Sequence, residues 1–285
     1  MALWPRSSRG QAIGALALTA VLALSGCGGG SGSSSTSATT GGGTAAGGAK
    51  LVTPGKLTTC TNIPYEPFQF KDASGKVVGF DVDIVDLVAK KLGVQQQIVD
   101  IDFAVIKSGA AMATGKCDVA AAGMTITPER KQNITFSEPY FDATQALLAK
   151  KGTGAKSLED VKAKGLKLGA QASTTGLDYV KKHGFDPTEY ADSSKELLAL
   201  QAGQADVIVQ DLPVVLTWLK KPEIADKFEL IASLDTGEQY GIGLKKNADP
   251  VLLKTINDTI TQAKADGTYE KIFVKWFGKK PGELS

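Results

Sequence analysis

The sequence predicts an α/β protein of two lobes, each a mainly parallel sheet flanked by helices, joined by two crossing segments. Three observations carry this. Apolar, strand-like runs alternate with helix-patterned stretches. The alternation is completed once and begins again near residue 166. Two extended stretches without helix signals, 143–150 and 239–245, lie between the rounds and after the second. Strand and helix in turn give a sheet of parallel strands, because the helix makes the return, and such a sheet needs both faces covered. A chain that crosses to a second lobe and comes back uses two such extended stretches as a hinge.

In the first round, residues 57–61 read as a strand and 82–92 as a helix, with Ile84, Val85, Val88, Ala89 and Leu92 on one face and Gly93 as its stop. A strand over 97–101, a helix over 105–113 ending before Gly115, and a buried strand over 118–122 follow. The second round has a strand over 166–170, helices over 174–182 and 194–202, a strand over 206–210 and a helix over 212–220. The tail adds an amphipathic helix over 249–265, ended by Gly267, and another over 269–277 with Ile272, Phe273, Trp276 and Phe277 to bury. The expected boundaries are 50–145 plus 242–285 for lobe 1 and 146–241 for lobe 2.

Residues 1–26 have the parts of an export signal: Arg6 and Arg9, a mostly apolar stretch from Gln11 to Leu24, and Leu24-Ser25-Gly26-Cys27 as the close. That stretch is too short to span a bilayer comfortably. Residues 27–49 carry no charge and no aromatic side chain, so a flexible tether is expected. No other stretch is long and apolar enough to cross a membrane. Removing Arg6 and Arg9 takes the formal charge from +2 to zero, which recommends neither nucleic acid nor a polycation as partner. Cys60 falls on an expected strand and Cys117 near the start of another, and in an oxidising compartment either a disulfide or two buried thiols fits.

The stretch 119–133, VAAAGMTITPERKQN, ends a strand and starts a turn of helix. Thr127 is a good N-cap, Pro128 suits the first helical position and Glu129 the positive helix end, so Arg130 falls in the first turn, beyond the carboxyl end of the sheet where ligands bind. Its planar fork matches a carboxylate. The competing reading pairs Arg130 with Glu129, Glu138 or Asp142. In the second lobe the strand over 206–210 leads into Asp211, which is either a helix N-cap or the charge that faces Arg130 across a cleft. A zwitterion satisfies both. Tyr65 and Phe103, also at the carboxyl edge, are placed to pinch the apolar part of a small ligand, and Gln171 to Gly176 opens a helix whose amides and hydroxyls can meet an anion. Catalytic signatures such as HExxH, GxSxG or a phosphate loop are absent, and the lone histidine, His183, reads as an exposed helix end. No catalytic residue, cofactor or metal site is expected.

Several segments, in order along nearly the whole body, carry a resemblance: Tyr65-Glu66-Pro67-Phe68, Gly79-Phe80-Asp81-Val82-Asp83, Gly123 to Arg130, Phe136-Ser137-Glu138-Pro139-Tyr140, Ala205-Asp206-Val207 and Ala265-Asp266-Gly267-Thr268-Tyr269. Together they resemble the polar amino-acid binding proteins of bacterial ABC importers, solute-binding family 3. The resemblance implies a two-lobe periplasmic-binding-protein fold of type II that closes on its ligand. By that pattern Arg130 and Thr125 hold the α-carboxylate with help from Thr175, while Asp211, Thr125 and the Gly123 carbonyl hold the α-ammonium. Tyr65 and Phe103 flank the side chain. The ending at Cys27 resembles a lipobox, which implies a lipid anchor outside the cytoplasmic membrane, on the periplasmic or cell-surface side. The partners implied are a free L-amino acid and an ABC transporter permease, with a monomeric protein. Arginine- and lysine-binding relatives often carry an acid where this chain has Asn62, and Gln171 and Gln210 are neutral as well. This favours glutamine or asparagine, with Glu66 and Asp81 keeping arginine, lysine or histidine as the alternative. A dehydratase or an extracellular sensor on the same fold is the reading of another class.

Overall fold

The computed structural model describes residues 47–284, so the export signal, Cys27 and most of the tether lie outside the described residues. In chain order the elements are β1 (Lys56–Thr61), β2 (Phe70–Lys71), β3 (Val77–Val78), α1 (Phe80–Lys91), β4 (Gln95–Asp100), α2 (Phe103–Lys107), α3 (Ala110–Ala113), β5 (Val119–Ala120) and β6 (Ile134–Phe136). There follow β7 (Phe141–Lys150), α4 (Leu158–Ala163), β8 (Leu168–Gln171), α5 (Thr175–Lys182), β9 (Thr188–Tyr190), α6 (Ser193–Gln201), β10 (Val207–Asp211), α7 (Leu212–Trp218) and α8 (Pro222–Ala225). The chain ends with β11 (Phe228–Tyr240), β12 (Gly243–Lys245), α9 (Pro250–Ala265) and α10 (Thr268–Phe277).

Two five-stranded sheets form the lobes, in the orders β4-β1-β5-β12-β6 and β11-β7-β10-β8-β9, and both belong to one compact unit. In the first, β1 runs parallel to β4 and β5 while β12 is antiparallel to β5 and β6. In the second, β8 runs parallel to β9 and β10 while β7 is antiparallel to β10 and β11. The strand that runs against the others is thus, in each sheet, the one on which the chain has just crossed over: β7 going out, β12 coming back. Parallel strands come from the βα rounds and the antiparallel one from the hinge.

The expected helix over 105–113 is two short helices, because Gly109 breaks it with φ 80°. A side chain there would come within 2.9 Å of the Asn133 carbonyl oxygen, so close packing on the loop before β6 requires the glycine. The turn around Arg130 is 3-10 rather than α, with Thr127 Oγ1 accepting from the Arg130 amide at 3.1 Å. The β2–β3 hairpin, β6, β9, α4 and α8 had no distinct signal in the sequence. Phe273 and Phe277 of α10 are buried as expected, in an aromatic cluster with Phe68, Phe80, Phe141 and Tyr240. Ile272 and Trp276 are only partly buried, and the Trp276 indole donates to Asp83 at 2.7 Å.

Cys60 and Cys117 are joined in a disulfide, with Cα atoms 5.7 Å apart, that ties β1 to the turn before β5. The closed loop spans a sequence separation of 57, for which chain entropy gives about 4 kcal/mol of stabilisation. Replacing both cysteines by alanine is therefore expected to lower the unfolding free energy by about 3–4 kcal/mol in urea titrations. A loss below about 1 kcal/mol would mean that the surrounding apolar cluster already confines the unfolded chain.

Candidate functional site

Between the lobes lies a narrow chamber. Its walls include all nine ligand-binding candidates from the sequence: Asn62, Tyr65, Phe103, Gly123, Thr125, Arg130, Gln171, Thr175 and Asp211. They come together because each follows the carboxyl end of a strand. β1 leads to Asn62 and Tyr65, β4 to Phe103, β5 to Gly123 and Thr125, while β8 and β10 end on Gln171 and Asp211 themselves.

Arg130 is buried, 6% exposed. Its guanidinium donates to the Thr125 carbonyl at 2.8 Å and, from Nη2, to the Ser173 carbonyl of the facing lobe at 3.4 Å, and the Phe103 ring centroid lies 5.4 Å from Cζ. Ser173 adopts φ 69°, unusual for a residue with a side chain, and that turn directs its carbonyl inward. Every ion pair found among the described residues uses a lysine, so Arg130 is not locked onto Glu129, Glu138 or Asp142. Burial works against its charge, and Glu238, Asp178 and Asp211 offset this only from a distance. A desolvated cation held by neutral carbonyls and a ring calls for an anion.

Asp211 occupies the N-cap position of α7, yet its side chain makes no capping bond. The carboxylate instead turns toward the chamber, where Oδ2 accepts from the hydroxyls of Tyr65 and Tyr240 and Oδ1 from Gln145 Nε2 at 2.5 Å. Burial pushes its carboxyl up to about 6, against the hydrogen bonds from the two tyrosines, which pull it down. Three donors leave lone pairs on a carboxylate that can take four or so, so one more cationic donor can be accepted. Tyr65 therefore orients Asp211, in addition to whatever its ring covers; its hydroxyl also lies 2.8 Å from Gln210 Oε1, and Gln210 in turn donates to the buried Glu196.

Gly123 holds φ 55°, and a side chain on it would reach within 2.8 Å of the Tyr65 ring. Its amide is fixed by Asp81, 2.8 Å away, whose other oxygen accepts from the Tyr140 hydroxyl at 2.7 Å. Asp81 is thus a support beneath the chamber wall, with a carboxyl raised to about 7 by burial. Glu66 pairs with Lys221 at 3.1 Å. Neither acid lines the chamber, which removes the two carboxylates that the sequence offered to a cationic ligand. Asn62 donates its amide to the Ile101 carbonyl at 3.0 Å. Thr175 donates its hydroxyl to Glu238 at 2.9 Å, so what it can offer an anion is its backbone N–H in the first turn of α5.

Gln145 and Tyr240 were missed in the sequence because both sit on crossing strands read only as a hinge. A signal did exist for Gln145, a lone amide within the apolar run of β7, where it is 1% exposed.

The model of the bacterial extracellular solute-binding proteins, family 3, matches residues 57–279. The chain belongs to that family. Among curated members, it is 34% identical to a probable histidine-binding protein of Neisseria gonorrhoeae over 95% of this chain and 96% of that one. It is 32% identical to the ABC transporter glutamine-binding protein GlnH of Bacillus subtilis (strain 168), over 74% and 77% of the two chains. A solved ancestral arginine-binding protein bound to glutamine is 41% identical, with TM-score 0.73 over 79% of this chain and 99% of that one. The two-lobe fold of type II is therefore this family member's fold, as its two sheets show independently.

Proposed function

We propose that this protein captures a free polar amino acid outside the cytoplasmic membrane and, by closing its lobes, presents it to the permease of an ABC importer. The observation that carries the reading is the pair of opposite charges in one chamber: Arg130, buried without an acid partner, and Asp211, steered into the space by two tyrosines. The α-carboxylate goes to the guanidinium and the amides at the start of α5, and the α-ammonium to Asp211. Because the two anchors come from different lobes, a bound zwitterion favours the closed arrangement over the open one. Lobe 1 comprises 50–145 plus 242–285 and lobe 2 comprises 146–241, so bending falls on β7 and the residues after β11.

The rest of the wall is neutral. Asn62, Gln69, Gln171 and Gln210 supply amides, and the Gln171 Oε1 is buried without a partner, which supports a side chain with an amide of its own. Glutamine or asparagine is the favoured ligand. A basic amino acid is the second reading, supported by relatives named for arginine and histidine and by Glu238 close behind the wall. The reading includes a monomer, a lipid anchor at Cys27 and no catalysis; one similar solved structure, 35% identical, is an ancestral amino acid-binding precursor of cyclohexadienyl dehydratase.

Thermal unfolding of the purified protein against the twenty amino acids and a few dicarboxylates tests this. A rise in Tm with glutamine-like compounds supports the favoured ligand, a rise with arginine, lysine or histidine selects the second, and no rise with any amino acid overturns the function.

A further inference from the structure

Strand β11 has an irregularity beside the chamber. Leu234 pairs with Gln145 and Glu238 with Ala143, so the register slips between them, and Gly237 takes a left-handed step at φ 63°. Such an insertion re-aims the side chains that follow it. Here it turns the Glu238 carboxylate inward, where Oε2 accepts from Thr175 Oγ1 at 2.9 Å and from Gln145 Nε2 at 3.3 Å. The same Gln145 nitrogen donates to Asp211 Oδ1 at 2.5 Å. One amide on β7 thus sits between two carboxylates, one from each neighbouring strand, and its two N–H groups match them one to one. Space for this amide is kept by Gly176, where a side chain would come within 2.7 Å of Gln145 Oε1.

We propose that Glu238 is a positioning residue of the ammonium end: through Gln145 it orients the Asp211 carboxylate, and by its own negative charge it sets the pH above which that carboxylate is ionised for a ligand. It does not line the chamber and acts through its neighbours. The inference rests on the reading of Asp211 as the ammonium partner.

The other groups around Asp211 do not supply this effect. Tyr65 and Tyr240 donate hydrogen bonds and favour the ionised form. Glu196 lies behind Gln210, which donates to it, and burial raises its carboxyl well above the usual range. Arg130 faces both acids across the chamber, and their charges, with those of Asp178 and Glu129, support its own. Glu238 is the charge that raises Asp211 beyond what burial does. Two like charges separated by one amide disfavour joint ionisation.

The test is Glu238→Gln, which keeps the shape and an acceptor for Thr175 but removes the charge. Carboxyl ¹³C NMR on ligand-free protein, with Asp211 assigned through Asp211→Asn, follows the titration directly and needs no ligand. In Glu238→Gln the Asp211 midpoint is expected to fall by about 0.5–1 pH unit, and the pH at which affinity for the amino acid drops should fall with it. An unmoved midpoint in a folded variant overturns the proposal, since a purely structural Glu238 would leave it in place. The two readings separate: a shifted midpoint in a protein that binds no amino acid sinks the transport function and leaves the charge coupling standing, while ligand binding with an unshifted midpoint does the reverse.

Discussion

Replacing Arg130 by alanine is expected to weaken amino-acid binding by about 3–5 kcal/mol, a loss of hundreds- to thousands-fold in Kd. The size follows from what is left behind: an α-carboxylate carried into a buried chamber with neutral donors only. Arg130→Lys restores the charge but not the two-pronged fork, nor the flat face against the Phe103 ring 5.4 Å from Cζ, so about a ten- to hundredfold loss should remain. Ligand-free stability is expected to move little in the opposite sense, because the alanine variant no longer buries a cation without a counter-ion. Calorimetric titration with the best ligand, together with urea unfolding of the free proteins, separates these effects. Near-wild-type affinity in Arg130→Ala would remove the guanidinium from the site.

Asp211→Asn should divide function from stability. Binding is expected to fall by about 2–5 kcal/mol, since the ammonium then meets a neutral amide in a desolvated pocket. The free protein is expected to gain stability at neutral pH. The Asp211 carboxyl titrates near 6 in the fold, above its ordinary 3.8, so the folded state holds the proton more tightly than the unfolded chain does. Stability from this group is therefore complete below pH 4, declines as pH rises toward 6, and by pH 8 the buried carboxylate costs about 2–3 kcal/mol that the asparagine avoids. Affinity runs the other way. Above pH 6 the carboxylate is ready for the ammonium; below it the ligand must displace a proton, and Kd should rise up to about tenfold per pH unit in the wild type but not in Asp211→Asn. A wild-type Kd that is flat from pH 4.5 to 8 would contradict the role given to Asp211.

Much of this architecture is legible in the chain because its causes are local. Helix faces in α1, α5, α9 and α10 follow from side-chain periodicity, and the starts of α5 and α9 from Thr174 and Asp249 as caps. Where strand-end chemistry is a matter of position along one element, as for Arg130 after β5 or Gln171 after β8, the sequence already marks the residue. The Gly109 break escaped detection because its cause is Asn133, on a different element. The crossing strands escaped for a related reason: a strand's sequence shows alternation but not which neighbour each face meets.

The sequence by itself determined the two α/β rounds, the crossings between them and the presence of an arginine and an aspartate at opposed strand ends. Only the tertiary structure decided that Cys60 and Cys117 bond, that Asp81 braces Gly123 and does not line the chamber, and that Asp211 turns from its helix toward Tyr65, Tyr240 and Gln145. Periodicity and capping depend on residues a few positions apart. The direction of a buried charge depends on desolvation and on donors brought from distant parts of the chain, and those exist only once the lobes have packed.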